Sequence, residues 1–184
     1  MNVPIGITDI MLTTPRLVLR PWRQSDLADF YEYARVDGVG QMAGWPPHES
    51  IEDSQRVLDS FIEHKKVFAI EYEGKVIGSL GVEEYDEEIF PQLKDLKARE
   101  LGFVLSKDYW GRGLMPEAAK EVIRWLFEDV GLDAITCCHY AQNTQSARVQ
   151  EKCGFKFFSR YQRGNRYGLS RDTVANVLMK EDWI

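Results

Sequence analysis

The sequence predicts one α/β domain built on a mixed sheet, and three observations carry that reading. Strand-like and helix-like stretches follow one another in the order β-αα-βββ-α-β-α-ββ, which suits a sheet with helices packed on it. The chain has 184 residues, which fits one domain and is long enough to bury a substantial core. A Gly-x-Gly loop, Gly111 and Gly113, ends a largely apolar run and opens a long amphipathic helix.

The elements follow in order along the chain. Arg16 to Trp22 alternates as a first strand. Ser25 is placed to cap a helix that carries Leu27, Phe30, Tyr31 and Ala34 on one face. Gly38 to Pro47, with Gly40, Gly44, Trp45 and Pro46, reads as a loop. Ser50 and Asp53 form a capping-box pattern before a second helix with Val57, Leu58, Phe61 and Ile62 inward.

Val67 to Tyr72 and Lys75 to Val82 are strands joined at Glu73-Gly74, a hairpin signal. The acidic piece from Glu83 to Glu88 and the polar segment up to Lys97 read as a solvated loop, followed by a strand from Arg99 to Ser106. The helix after the glycines buries Met115, Ala118, Ala119, Val122, Ile123, Leu126, Phe127 and Val130, and Gly131 stops it. Ala134 to Tyr140 is a strand, Thr144 to Lys152 a short helix and Phe155 to Tyr161 a strand. A loop from Gln162 to Asp172 then leads to a last strand, Thr173 to Met179.

Composition narrows the function classes. An apolar share of 44% and a charged share of 28% describe a soluble globular chain. No apolar run approaches the roughly 20 residues of a membrane span, and Met1 to Leu12 lacks the pattern of a secretory signal. The net charge of −6 argues against nucleic-acid binding and is compatible with a cationic substrate. Cys137, Cys138 and Cys153 make neither a disulfide framework nor a spaced metal set, and reduced thiols imply a cytoplasmic setting. His48 and His64 are too scattered for a metal site, so no metal is expected.

The glycine loop is the most informative stretch. Glycines let the backbone turn tightly and bring its N–H groups near a ligand. The helix behind them opens with unpaired N–H groups and a positive dipole end, a combination suited to an anion such as phosphate. A Walker loop would need Lys-Ser or Lys-Thr where Leu114 and Met115 stand, and a dinucleotide fingerprint would need a small residue where Pro116 stands. Pro116 is compatible with a first helical turn. A plain connection between strand and helix is the other reading of the same glycines.

With the element order, four local motifs resemble the GNAT family of acetyl-CoA-dependent N-acetyltransferases. They are Thr14-Pro15-Arg16-Leu17, Glu100-Leu101-Gly102-Phe103, Tyr109-Trp110-Gly111-Arg112-Gly113, and Asn143-Thr144-Gln145-Ser146 running to Glu151-Lys152-Cys153-Gly154-Phe155. The pattern is most similar to the Rim-type branch, named for enzymes that acetylate N-termini of ribosomal proteins. The resemblance implies a GNAT fold, with a mixed central sheet of about seven strands and about four helices. It covers residues 11–184 as a single domain and leaves 1–10 as an N-terminal extension.

Roles follow from the resemblance residue by residue. The pyrophosphate of acetyl-CoA is expected on the amides of Gly111, Arg112, Gly113, Leu114 and Met115. The pantetheine arm is expected to pair with the main chain of Phe103, Val104 and Leu105, and Asn143 to bind its amide. Asp108 stands where the general family pattern has Gln or Arg, a departure. Acetyl transfer needs a neutral nitrogen and a proton for the departing sulfur, and Glu100 is the expected base, directly or through water. A solvated strand-entry carboxylate is the other reading of Glu100.

Many members carry Tyr four residues before the glycine of the Gly-Phe pair, where this chain has Gln150; in the Rim-type branch a serine matching Ser146 serves as acid. Ser146 also reads as a hydroxyl satisfying a helix-start N–H. Arg148, with Lys152 one turn on, is a candidate for the 3′-phosphate. Trp45 and Tyr140 are candidates for the acceptor pocket, and residues 160–171 for substrate entry or a homodimer contact.

The acceptor is expected to be a primary amine, first a protein or peptide N-terminus. A polyamine, amino acid or aminoglycoside is the alternative, and an acyl-CoA-binding module without catalysis is the rival from another class. Glu100, Asn143 and Ser146 favour the enzyme, and the absence of Tyr at 150 favours the module.

Overall fold

The computed structural model describes residues 1–164 and 170–183. The strands are β1 (Leu12–Thr13), β2 (Leu17–Pro21), β3 (Val67–Tyr72), β4 (Lys75–Glu83), β5 (Ala98–Leu105), β6 (Ala134–Tyr140), β7 (Lys156–Gly164) and β8 (Ser170–Met179). The α-helices are α1 (Leu27–Ala34), α2 (Ile51–His64), α3 (Leu114–Glu128) and α4 (Thr144–Lys152). The strand order is β1-β2-β3-β4-β5-β6-β8-β7. β5 and β6 are parallel, whereas β1·β2, β2·β3, β3·β4, β6·β8 and β7·β8 are antiparallel, so the sheet is mixed as expected. It holds eight strands rather than about seven, because Leu12 and Thr13 pair with Leu19 and Val18 as a two-residue edge too short to show alternation.

The chain forms two compact units. The first comprises Ile5–Gly81 and Phe103–Glu121. Its core gathers Trp22, Phe30, Tyr33, Ala34, Leu58 and Val76 beneath α1 and α2. The Ser50–Asp53 capping box forms as read, with Ser50 N–H on Asp53 at 3.0 Å and Asp53 N–H on Ser50 Oγ at 3.3 Å. Ser25 does not cap α1. A 3-10 turn at Gln24–Asp26 precedes that helix, and Asp26 is committed to Arg20 at 2.8 and 2.9 Å and to Arg23 N–H at 2.8 Å. The Glu73-Gly74 turn closes the β3–β4 hairpin with φ of 51° and 79°, the left-handed pair that a two-residue hairpin requires.

The second unit comprises Met1–Pro4, Val82–Gly102 and Val122–Ile184. Its core includes Tyr85, Phe90, Leu93, Ala98, Ala134 and Ala175. The segment from Glu83 to Lys97 is therefore not simply a solvated loop. Phe90 is 0% exposed and the Tyr85 hydroxyl donates to Leu93 O at 3.1 Å, because the few apolar residues among the acids turn inward while the acids stay in water. Asn2 adds a parallel bridge at Ala98 and exchanges side-chain hydrogen bonds with the Tyr85 main chain at 2.9 and 3.1 Å. Gly131, at φ 79°, follows α3 as expected.

The expected loop from Gln162 to Asp172 is partly strand. Gln162 pairs with Asp172 and Gly164 with Ser170, so β7 and β8 are longer than the alternation suggested, and residues 165–169 lie outside the described residues. The candidate entry or dimer segment 160–171 falls in part on those residues.

Candidate active site

The candidate groups divide between the two units, and each set is built by its own unit.

In the first unit, β5 ends at Leu105 and Ser106 N–H bonds Ile77 O of β4 at 2.7 Å. Gly78 of β4 lies so close to β5 that an added Cβ would sit 2.4 Å from Val104 O. A 3-10 turn, Lys107–Tyr109, then leads to the glycines, with the Trp110 indole N–H on Leu105 O at 2.8 Å. Gly111 and Gly113 both adopt φ of 74°, a left-handed conformation that side-chain-bearing residues rarely take. The glycines are needed for this bend more than for space. A Cβ on Gly111 would meet nothing within 4 Å and one on Gly113 only Arg16, at 3.7 Å.

α3 opens at Leu114, and its first turn closes when Glu117 N–H reaches Gly113 O at 3.3 Å. The Leu114 and Met115 side chains are buried and anchor the helix. Their N–H groups come too early in the helix to have an intrahelical acceptor, and Pro116 has no N–H to satisfy. The positive end of a fifteen-residue helix thus stands behind two exposed glycines.

Side chains hold the bend on both flanks. Arg16 donates from Nη1 to Arg112 O at 3.0 Å and from Nε to Glu117 at 2.8 Å. Glu117 also accepts from Thr14 Oγ1 at 2.6 Å and Arg16 N–H at 3.0 Å. Burial works to raise the Glu117 carboxyl, but these donors overcome it and hold its pKa below the usual range. Arg112 lays its guanidinium over Tyr72 and Tyr109, 5.1 and 5.3 Å from the ring centres, and donates to the Tyr72 hydroxyl at 2.9 Å. The Thr14-Pro15-Arg16-Leu17 motif thus braces the loop.

Trp45 follows Gly44 at φ 92° and bonds Gly40 O through its N–H at 3.1 Å. Its ring covers Gly40, where an added Cβ would come 2.2 Å from the indole, and lies 5.2 Å from the His48 ring.

In the second unit, β5 pairs with β6 at Ala98↔Ala134, Arg99↔Ile135 and Glu100↔Thr136, where the register ends. Glu100 therefore stands on the last paired residue. Its side chain is 16% exposed, with Thr136 Oγ1 and Cys138 Sγ each 3.5 Å from Oε2 and Arg163 Nη1 3.9 Å from Oε1. Burial raises the Glu100 pKa above the ordinary carboxylate range, and Arg163 only partly opposes it. Neighbouring Cys138 is pushed up to about 12 by burial and by Glu100, which keeps it a thiol at neutral pH.

Asn143 caps α4, its Oδ1 accepting Ser146 N–H at 3.1 Å. The Ser146 hydroxyl accepts from Gln150 Nε2 at 3.1 Å, and Gln150 Oε1 accepts from Asn176 Nδ2 at 2.6 Å. Gln150 is 1% exposed, so the residue in place of the family's tyrosine is a buried linker between β8 and α4. Tyr140 is buried beneath the Arg171 guanidinium, 5.2 Å from its ring centre, and its carbonyl accepts Asn143 N–H at 2.7 Å. Arg148 and Lys152 are exposed on α4. Among the described residues, no group of three or more His, Cys, Asp or Glu is placed to hold a metal.

The chain belongs to the acetyltransferase (GNAT) domain family, whose model matches residues 16–156. Over 113 residues it is 26% identical to Bacillus subtilis YdaF, named as a candidate ribosomal N-acetyltransferase, covering 61% of this chain and 58% of YdaF. Over 89 residues it is 30% identical to the FsC-acetyl coenzyme A-N(2)-transacetylase of Aspergillus fumigatus, covering 46% of this chain and 37% of that protein. The chain thus spans less than two thirds of the length of each of these two relatives. In fold it is similar to a GNAT-family acetyltransferase from Bacillus anthracis, with a TM-score of 0.82 and 20% identity over 94% of this chain and 99% of the other.

Proposed function

We propose that this chain is an N-acetyltransferase that moves acetyl from acetyl-CoA to a primary amine by direct attack. The observation that carries the reading is the bend at Gly111–Gly113 in front of α3. It is braced by Arg16 and Trp110, its two glycines are exposed and carry no side chain, and the first N–H groups of α3 have no intrahelical acceptor. That donor set fits a diphosphate, so the amides of Gly111 to Met115 are the proposed grip on coenzyme A. The end of the β5–β6 register at Glu100 supports a second contact, the pantetheine arm along the main chain of Phe103, Val104 and Leu105. Asn143 is proposed to aid it there, and exposed Arg148 to meet the 3′-phosphate.

Bound acetyl-CoA supplies an activated acyl group, and the chain supplies proximity and proton handling. Glu100 takes the proton that the attacking nitrogen gives up, which its raised pKa suits. Ser146 hands its hydroxyl proton to the departing sulfur and regains one from solvent, and Glu100 releases its proton to solvent, so one amine proton is exchanged for one thiol proton. Holding the two reactants together is worth up to about 7–11 kcal/mol in favourable cases.

The proposed acceptor is a protein or peptide N-terminus, supported by the Rim-type motifs and by the name YdaF carries. The name of the Aspergillus transacetylase supports a second reading, a small-molecule amine. Trp45 and Tyr140 are the proposed pocket residues. A cytoplasmic site of action is proposed with this activity; no described helix is long and apolar enough to cross a membrane. Incubating purified protein with acetyl-CoA and panels of peptides and small amines, while following free thiol, tests all of this. Thiol release with one panel identifies the acceptor class, and tight acetyl-CoA binding without release from any acceptor leaves a binding module.

A further inference from the structure

We infer that Gln150 is a positioning residue that fixes the direction in which Ser146 donates its proton. The inference rests on the proposed role of Ser146 as donor to the departing sulfur.

An amide nitrogen only donates and an amide oxygen only accepts. Asn176 Nδ2 donates to Gln150 Oε1 at 2.6 Å, which commits the oxygen end of Gln150 to β8 and turns its NH2 end toward α4. There Nε2 donates to Ser146 Oγ at 3.1 Å. The Ser146 main chain is pinned by its own N–H on Asn143 Oδ1 at 3.1 Å. One lone pair of the hydroxyl is thus engaged by a group that cannot accept, so the O–H hydrogen must point away from Gln150.

The geometry has two chemical consequences. Helical serines tend to give their proton back to a nearby main-chain carbonyl, and an incoming N–H on Oγ competes with that rotamer. The same N–H stabilises negative charge on Oγ as its O–H bond breaks toward sulfur, while the electrons of the broken C–S bond accept the proton. Gln150 and Asn176 are both buried, so water does not compete for these contacts and the pair holds one orientation. Gln150 therefore does not replace a tyrosine as acid; it directs a different acid from behind.

The test uses the full chain with Gln150→Glu and Gln150→Met, each alone and combined with Ser146→Ala. Glutamate keeps the shape and the Asn176 contact but offers Ser146 only an acceptor, which draws the hydroxyl proton inward. Methionine removes the donor altogether. Each single variant should lower kcat about tenfold, the size of coupling found within one hydrogen-bonded network, and leave KM for acetyl-CoA near its original value. In the Ser146→Ala background neither should lower kcat further. A melting curve on each variant confirms folding, and Gln150→Glu carries the test if the methionine variant does not fold. Equal losses in both backgrounds would overturn the proposal, as would original kcat in the Gln150 variants beside a slow Ser146→Ala. A Ser146→Ala variant at full rate would remove the donor role and the positioning role together, which separates the two failures.

Discussion

Arg16 and Glu117, far apart in sequence, form one clamp on the glycine bend: the guanidinium holds Glu117 through Nε at 2.8 Å and the Arg112 carbonyl through Nη1 at 3.0 Å. One side chain thus joins the start of β2 to both sides of the turn into α3. Only arginine, with its planar fork of donors, spans two acceptors in this way. Arg16→Ala should therefore loosen the bend before ligand arrives. An ion pair this exposed is worth about 1 kcal/mol or less, which predicts an acetyl-CoA affinity up to about fivefold weaker, read by isothermal titration. Arg16→Lys should restore little of it, and unaltered affinity in both variants would show that the bend holds without the clamp.

The glycines allow a graded experiment. At φ 74° with no neighbour within 4 Å, Gly111→Ala adds backbone strain and nothing else. That strain is about 1–2 kcal/mol, enough to shift the bend and weaken acetyl-CoA binding several-fold. Gly113→Val places a β-branched residue in the same disfavoured region and should abolish binding. Normal affinity in the valine variant would end the assignment of this loop.

Glu100 makes activity and stability move in opposite directions. Its folded pKa lies above the unfolded value, so the folded state holds this proton more tightly. Its ionisation therefore disfavours folding, beginning as pH rises past the unfolded pKa and fully developed above the folded one. Glu100→Gln should melt higher than the original protein at pH 7 and close to it in acid. Acetyl transfer should slow by about 10²–10⁴-fold if the carboxylate acts as general base, and the proposed activity of the original protein should fall in acid as pH drops through a value above the ordinary carboxylate range. A full rate in Glu100→Gln in a chemistry-limited assay would remove it from the mechanism.

Glu117 has the contrary sign. Its pKa is depressed in the folded state, so the stability it contributes is present above the unfolded pKa and is lost as pH falls through the folded one. Glu117→Gln should lower the melting temperature at pH 7, and the gap to the original protein should close in acid. A pH-independent gap would mean that the carboxylate charge is not what holds Thr14 and Arg16.

Gly40 tests the seat of Trp45. A methyl group there would come 2.2 Å from the indole, so Gly40→Ala must push the ring out. Overpacking of this kind costs about 1–3 kcal/mol, visible in denaturant titration with a change in tryptophan fluorescence. If Trp45 lines the acceptor pocket, KM for the amine should rise while acetyl-CoA affinity holds.

Periodicity and turn chemistry were enough to place most elements from sequence. The Ser50–Asp53 box, the Glu73-Gly74 hairpin, the glycine bend and the stop at Gly131 all rest on contacts or backbone angles within a few residues, so local sequence contains their cause. The reading failed where distant groups decide. β1 is a strand only because Leu19 and Val18 lie beside it, Ser25 falls inside a 3-10 turn whose Asp26 is held by Arg20, and Tyr85 and Phe90 leave an acidic stretch for a core made by remote alanines.

The candidate groups divide in the same manner. By itself the sequence determined the family, the glycine bend, and Glu100, Asn143 and Ser146 as the residues to watch, because residue type and spacing along the chain are all those inferences need. Tertiary structure alone decided that Glu117 is the anchor for Arg16, that Arg163 faces Glu100, and that Gln150 links Asn176 to Ser146. Hydrogen bonds and burial are set by distance in space, and residues a hundred positions apart can be bonding partners without leaving any periodic mark in the chain.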